Sequence, residues 1–512
     1  YEHLKTLIGN KGDPEGLIFL SVFTPFLERI ANGDGPKEFY DLIVESQLFP
    51  LSKPDNGVRP IILVDVFRKL ISNLLLRIFC GKFHDIFEGK NFGCNQKFGC
   101  EIITHYVNIV RELEPTWDIV LKDDVNAFNG ASRKEMFSQV MSNSPTILPF
   151  VRNMYLNSSA TWVVTSYNGI ANIPSRRGFH QGDSIAPGLF CASDVTAHAI
   201  RAEHIFPGHS LDLLDDATSA GPHDRAIKLV EYLASPASGR TINKKKTYIL
   251  LGSCGKDHRL ASERRREFNY LLQLENPQKY ILSHPDDIRT TRSVPHSQAY
   301  AAYGATVLGS PCGTEIFCKQ WLDDYLSDLT EIAQTIINFP DAQSQLIFLR
   351  LIFCNKINHL QRTIFPEIID DFVKKFEVLK RKLLCEILHI PELHEDAWSQ
   401  ATLQFEYGGL GLRNAADTTD CAFVASALSC LPSIVKFFPC IQSMLDNRDY
   451  SLGWLKVLQS ACCRLAQTDE DYYEDKIAFR GGVFDPGKLF ELNLGNADKL
   501  QAVLMIPRNK CK

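Results

Sequence analysis

The chain has 512 residues, 45% of them hydrophobic and 22% charged, with 55 basic against 60 acidic side chains and a net charge of -5. That composition builds real cores and excludes a disordered chain; it also excludes a uniformly basic coat, so any contact with nucleic acid must come from local clusters. The 15 cysteines are scattered without paired CxxC elements, which fits reduced thiols in an intracellular protein, and no run reaches the roughly 20 apolar residues of a membrane helix, so no membrane partner is expected. Tyr1 in place of Met marks the sequence as the expected piece of a longer chain, and nothing in it predicts an oligomeric state.

Leu17, Phe19, Leu20, Phe23, Phe26, Leu27 and Ile30 recur at helical spacing and are stopped by Asn32-Gly33, which predicts a helix that serves core packing only. Leu48 to Ile62 reads as two apolar runs joined by the turn Pro54-Asp55-Asn56-Gly57 and flanked by Lys53 and Arg59. Two cations that converge beside a tight turn can clamp phosphates. Asp65 is placed to cap an amphipathic helix over Val66 to Phe79, with Arg68, Lys69 and Arg77 off its apolar face. Trp117 to Val125 is a strand that ends in Asp123-Asp124 before a turn into a helix, where α/β sites place reacting groups. A second hairpin is predicted around Tyr167-Asn168-Gly169. Arg176 to Pro187 follows, in which two glycines let backbone approach a planar ligand and Gln181 offers an amide; a helix to about Ala202 comes next.

Leu213-Leu214-Asp215-Asp216 predicts a hairpin whose tip carries two carboxylates. Adjacent anions repel unless a cation sits among them, and Mg²⁺ suits an oxygen-only site. The same dipeptide recurs at Asp123-Asp124, Asp286-Asp287, Asp323-Asp324 and Asp370-Asp371. Asp323-Asp324 falls on the exposed face of a helix and Asp370-Asp371 reads as N-terminal capping, which leaves Asp123-Asp124 as the partner of Asp215-Asp216. Gly239 to Leu250 is a basic run leading into a strand, where Lys244, Lys245 and Lys246 could neutralise a phosphate. Arg264-Arg265-Arg266 fits either a solvated helix face or a nucleic-acid contact. From Glu315 to Leu388 helical periodicity dominates, and Lys374, Lys375, Lys380, Arg381 and Lys382 form a basic stripe suited to a duplex backbone or to surface charge balance. Gly408 to Arg413 reads as a turn into a helix.

Four of these segments, in fixed order, resemble the palm motifs of reverse transcriptases, and specifically those of non-long-terminal-repeat retrotransposons. They are Asp123-x-x-Asn126-Ala127-Phe128-Asn129, Gly178-x-x-Gln181-Gly182-Asp183 with Pro187, Leu213-Leu214-Asp215-Asp216, and Gly239 through Thr247. Lys53 through Pro60 is similar to the fingers segment of that family, and Val307-Leu308-Gly309 to its primer grip. The resemblance implies an α+β right-hand polymerase. Its expected parts are N-terminal helices and fingers over 1–115, a palm with an antiparallel sheet over 116–250, a polar insertion over 251–300, a primer grip and helical thumb over 301–400, and a mostly helical C-terminal region over 401–512.

It further implies an RNA-directed DNA polymerase of a retroelement, adding nucleotides to a primer 3′-hydroxyl. Asp123, Asp215 and Asp216 would be catalytic and hold two Mg²⁺ ions, or Mn²⁺, with Asp124 adding its carbonyl. Lys53, Arg59, Phe128, Gln181 and Lys246 would surround the nucleotide: Phe128 would block a ribose 2′-hydroxyl, and Lys246 is a candidate acid for pyrophosphate. Gly182, Leu308 and Gly309 would follow template and primer. The implied partners are an RNA template, a DNA primer or target DNA, and deoxynucleoside triphosphates. Leu213 stands where the family usually has an aromatic residue and Asp124 where it has an apolar one; His180 and Ser184 also differ. The alternatives are a catalytically decayed or domesticated nucleic-acid-binding protein and an RNA-directed RNA polymerase, the latter disfavoured by Phe128.

Overall fold

The computed structural model describes residues 13–505 apart from 54–56, 95, 157–160, 167–168, 289–295 and 492–496. The turns predicted at Pro54-Asp55-Asn56 and Tyr167-Asn168 lie outside the described residues. The architecture is α+β, in two compact units: Tyr1–Lys97, Leu121–Ser219 and Asp224–Thr247 form the first, and Phe98–Val120, Ala220–His223 and Tyr248–Lys512 the second.

In the first unit α1 (Pro14–Ala31) starts where Asp13 accepts from the Glu15 N–H and Pro14 presets the first helical φ. The expectation that it serves core packing only is corrected. Leu17, Ile18, Val22 and Phe26 are exposed, because apolar residues run almost all the way round the helix while its aromatic contacts, to Phe39 and Phe67, occupy one side. The predicted hairpin forms from β1 (Ser46–Ser52) and β2 (Val58–Leu63), antiparallel with Ser52 opposite Val58. Asp65 accepts from the Phe67 N–H at the start of α2 (Val66–Phe87).

Arg68 does not lie on the polar side of α2. It is fully buried, and its Nε and Nη2 donate to Asp183 Oδ2 at 2.9 and 2.7 Å, an oxygen that also accepts from the Tyr155 hydroxyl at 3.2 Å. A guanidinium survives in an interior only with such a partner. The core around it includes Met136, Val140, Phe150, Met154, Tyr155 and Phe179.

Along the chain β3 (Asp118–Lys122), the hairpin of β4 (Thr161–Ser166) and β5 (Gly169–Pro174), α3 (Ala186–Ile205), β6 (His209–Leu213) and β7 (Asp216–Gly221) follow. Sheet order β2-β1-β4-β5 joins the two hairpins through a parallel β1/β4 contact, Ser46 opposite Trp162. The other large sheet has the order β6-β7-β3-β8-β9, with β8 (Tyr248–Leu250) and β9 (Ile281–Leu282) parallel. A parallel pair needs a crossover, and the helix His258–Leu272 supplies it.

In the second unit that helix folds two of its arginines inward, with Arg266 left exposed: Arg265 donates to Ile281 O and Ser283 Oγ, and Arg264 lies 3.7 Å from the buried Asp118. Asp118 is also held by His223 Nδ1 at 2.6 Å and the Gly252 N–H at 2.8 Å. The hairpin of β10 (Gly304–Val307) and β11 (Ser310–Gly313) turns at Leu308 and Gly309, both at positive φ. Helices α4 (Glu315–Ile337) and α5 (Pro366–Ile387) close a core of Leu322, Leu329, Phe353, Phe372 and Phe376.

Asp323 and Asp324 are exposed on α4, as predicted. Asp370 and Asp371 are not the cap: α5 begins at Pro366, so they occupy its second turn and pair with Lys374 and Lys375 one turn on. The basic stripe is locally balanced, with Arg381 on Glu395 and Lys380 buried against Glu377 and the Arg413 carbonyl. The helix α6 (Ala415–Phe437) is long and apolar enough to cross a membrane by length and composition, and most of it is buried in this unit's interior. The described cysteines are free thiols.

Replacing Asp183 by Asn strands the Arg68 charge in the interior and should cost about 3–5 kcal/mol in chemical denaturation. A loss below about 1 kcal/mol would show that the pair does not hold the first unit together.

Candidate active site

The tip of the β6/β7 hairpin is the two-residue turn Leu214-Asp215, and Leu214 has φ +57, unfavourable for a branched side chain. The strain is held by Asn91. Its Nδ2 donates to the Leu214 carbonyl at 3.1 Å, and its Oδ1 accepts from the N–H groups of Leu214 and Gly93 at 3.1 and 2.9 Å. Gly93 has to be glycine, since a Cβ there would lie 2.5 Å from the Leu214 nitrogen. Backbone bonds from Phe92 N to Asp212 O and from Asp212 N to Lys90 O complete the bracket.

Asp123, just beyond the end of β3, is oriented by the segment Gly239–Thr247. Asn243 Nδ2 donates to Asp123 Oδ2 at 2.7 Å, the Asn243 N–H donates to the Asp123 carbonyl at 2.8 Å, and the Asp123 N–H reaches Thr247 Oγ1 at 3.3 Å. Sequence reasoning singled out the lysines of this segment and missed Asn243. A lone amide standing within a basic run is the signal that could have found it. Lys246 itself is exposed.

Alternation along the chain turns Asp124 away from Asp123. Its carboxylate is 6% exposed as part of the residue and accepts from Lys122 Nζ at 2.5 Å and Arg240 Nη1 at 3.2 Å, so the side chain is committed to cations of the protein and only its main chain faces other duties.

Burial raises the carboxyl of Asp215, and the charge of Asp123 raises it further. Asp216 is solvent-exposed as a residue, yet protein atoms crowd its carboxyl and push it up to about 7, Asp215 and Asp123 adding to the rise and Lys122 opposing it. The three carboxylates therefore share one field. Among the described residues no three His, Cys, Asp or Glu side chains converge into a closed metal-binding set. The cluster is open, but its donors are hard oxygens and its excess negative charge is what a divalent cation relieves, so the residues fit Mg²⁺ or Mn²⁺.

Phe128 stacks on Phe190 at 4.4 Å between centroids, with 8° between planes, and its carbonyl accepts from the Phe179 N–H at 2.8 Å. Gly178, at φ +66, leaves no room for a Cβ, which would lie 2.3 Å from that carbonyl oxygen. Arg133 ties the same loop down through the carbonyls of Gly178, Ser175 and Tyr155. Gln181 accepts from the Ile62 N–H at 2.7 Å, and a Cβ on Gly182 would lie 2.2 Å from Ile62 O. Loop 178–183 thus joins the Asp123 segment to the hairpin that carries half-buried Lys53 and exposed Arg59. Leu308 and Gly309 belong to the second unit. His180, one of the departures from the family pattern, is a core residue: it is buried between the rings of Tyr155 and Trp162 and bonded to Ser175 Oγ at 2.8 Å, and burial holds its pKa well below the usual range.

No family model matches the sequence. Over 248 residues, 47% of its length, the chain is 28% identical to the Retrotransposable element SLACS 132 kDa protein of Trypanosoma brucei gambiense, and the match spans 20% of that protein. Among solved structures, telomerase from Candida albicans, in complex with a TWJ fragment of telomeric RNA, aligns over 90% of this chain and 68% of its own at 10% identity and a TM-score of 0.42. Apo telomerase from Candida tropicalis aligns over 81% and 69% at 10% identity and a TM-score of 0.34.

A carboxyl whose folded-state pKa exceeds its ordinary 3.8 destabilises the fold once ionised: the penalty is absent below about pH 4, grows between pH 4 and 7, and is full above pH 7. In chelator, Asp216→Asn should therefore stabilise the protein above pH 7 by roughly 1 kcal/mol, screening at this exposed side chain limiting the gain, and by nothing at pH 4. Thermal melts across that range would contradict the assignment if the gain were independent of pH.

Proposed function

We propose that this chain is a reverse-transcriptase-like protein, an RNA-directed DNA polymerase of a retroelement that extends a DNA primer along an RNA template. The observation that carries the reading is the gathering of Asp123, Asp215 and Asp216 as carboxylates in one field, in the compact unit that also holds Phe128, Gln181, Gly182, Lys53 and Arg59.

Asp123, Asp215 and Asp216 would hold two Mg²⁺ ions, with the Asp124 carbonyl as a further ligand. Bound ions of this kind lower the pKa of a primer 3′-hydroxyl and stabilise departing pyrophosphate. The protein's own residues do the rest. Asn243 fixes the orientation of Asp123, and the Asn91 bracket fixes the turn that presents Asp215. Lys53 and Arg59 neutralise the triphosphate of the incoming nucleotide. Phe128, stiffened by its stack on Phe190, excludes a ribose 2′-hydroxyl. Gln181 offers an amide and Gly182 a bare backbone surface beneath the nascent base pair. Lys246 gives a proton to the leaving pyrophosphate, and the turn at Leu308 and Gly309 supports the primer strand. In this reading residues 1–115 are N-terminal helices and fingers, 116–250 palm, 251–300 a polar insertion, 301–400 primer grip and helical thumb, and 401–512 a mostly helical C-terminal region.

Primer extension on a primed RNA template with Mg²⁺ and deoxynucleotides tests the proposal. The natural chain should make product, with Mn²⁺ able to replace Mg²⁺, and Asp215→Ala/Asp216→Ala should make none. Product that persists in the double variant would place the chemistry elsewhere, and no product from the natural chain would defeat the reading. Phe128→Val should raise ribonucleotide incorporation roughly tenfold with little effect on deoxynucleotides, measured as a ratio of kcat/KM values.

A further inference from the structure

Seven titratable side chains of the first unit form a continuous buried chain on the side of the Asp123 segment to which Asp124 turns. His198 Nδ1 lies 2.7 Å from Asp212 Oδ2, which lies 2.6 Å from Arg201 Nη2; the same Nη2 is 2.5 Å from Asp194 Oδ2. Asp194 Oδ1 is 2.7 Å from Arg240 Nη2, Arg240 Nη1 is 3.2 Å from Asp124 Oδ2, and that oxygen is 2.5 Å from Lys122 Nζ. The most exposed of these side chains, Arg240, is only 14% accessible. Three acids, Asp124, Asp194 and Asp212, are balanced by three fixed cations, Lys122, Arg201 and Arg240.

Burying six charges costs several kcal/mol per ion before attraction repays it, so such a chain is a poor source of stability and a strong constraint on geometry. It is not a binding site for an anion either. The cavity among Lys122, Asp124, Arg201, Tyr232, Ser238 and Arg240 measures about 10 Å³, room for no more than a water.

The members sit at telling places in the chain. Lys122 and Asp124 flank Asp123. Asp212 is three residues before Asp215, and Arg240 is three residues before Asn243, which orients Asp123. Asp194, His198 and Arg201 lie on one face of α3. Arg240 is the node: it bridges Asp124 to Asp194, and its guanidinium lies 4.8 Å from the centroid of Phe190, the ring on which Phe128 stacks.

We propose that Asp124 and Arg240 are positioning residues: the chain from Lys122 through Asp124, Arg240, Asp194 and Arg201 to Asp212 sets the spacing between Asp123 and the Asp215-Asp216 turn, and through it the affinity of those carboxylates for a divalent cation. The inference rests on the reading of Asp123, Asp215 and Asp216 as cation ligands. It does not need a polymerase reaction. It also assigns a use to the acidic residue that stands at 124 where the resembling family has an apolar one.

Direct Mn²⁺ binding followed by electron paramagnetic resonance tests it, with Asp215→Ala/Asp216→Ala as the baseline for a lost site. Lys122→Met/Asp124→Leu removes one ion pair whole, a change interiors tolerate. It should weaken Mn²⁺ binding at least fivefold without changing the number of ions bound. Arg240→Gln should weaken it similarly, and Arg240→Lys, which keeps the charge but loses the fork, should restore part of the loss. If Asp124 were itself a side-chain ligand, releasing it by Arg240→Gln would tighten binding or add an ion. Tighter, additional or unchanged binding in these variants would overturn the proposal, as would a natural chain that binds no Mn²⁺. Should the double variant not fold, the Arg240→Lys and Arg240→Gln pair decides by the same criterion. A natural chain that binds Mn²⁺ as expected, responds to the variants as expected and yet extends no primer would leave this inference standing and remove the polymerase reading alone.

Discussion

Carboxylates held in a small, partly desolvated volume raise one another's pKa, and a fold that keeps three of them together must restrain each against that repulsion. In this protein Asp216 is driven to about 7 by the protein atoms that crowd its carboxyl and by Asp215 and Asp123. The surrounding structure supplies the restraint through groups that do not themselves carry the charge. Asn91 clamps the turn at Leu214 from both sides of its peptide, and Asn243 fastens Asp123 through side chain and backbone together. Neutral amides suit this task, because a cation that close would cancel the negative field the site is built to keep.

The fixed cations are engaged by other acids of the interior. Arg68 is spent on Asp183 and Tyr155, at the end of the loop that carries Gln181 and Gly182. Lys122, Arg201 and Arg240 are spent on Asp124, Asp194 and Asp212. Burial alone would raise the Asp212 carboxyl, yet Arg201 and His198 hold it well below the usual range, so this part of the interior stays ionised. Paired charges that are costly to separate leave few alternative arrangements of the segments they join, which is what a site dependent on the spacing of a few oxygens requires.

Close backbone contact does comparable work without charge. Gly178 lies against the carbonyls of Phe128 and Asn129, and Gly182 against that of Ile62, at distances no Cβ would permit. The loop between these glycines is thereby registered against the Asp123 segment on one side and the β1/β2 hairpin on the other. In the second unit the constraint is of another kind, a helical core in which surface cations are matched to acids one turn away, as with Lys374 and Asp370.

Local pattern settled much of this in advance. Alternation and turn chemistry marked the hairpins, helical spacing put Asp323-Asp324 on an exposed face, and the flanking residues alone separated Asp123-Asp124 and Asp215-Asp216 from the other acidic pairs. These features depend on neighbours within a few positions, and the sequence displays such neighbours directly. What remained hidden depends on partners far along the chain. Arg68 is buried because of a residue 115 positions away, the Leu214 turn is held by one 123 positions away, and Asp123 is oriented by one 120 positions away. The direction taken by Asp124, the open face of α1 and the location of Asp370-Asp371 inside a helix turned on which surfaces were left to meet. A single sequence states which residues are apolar or charged, but the pairing of buried charges is chosen only when distant segments are packed and each ion takes the nearest partner that can replace its water.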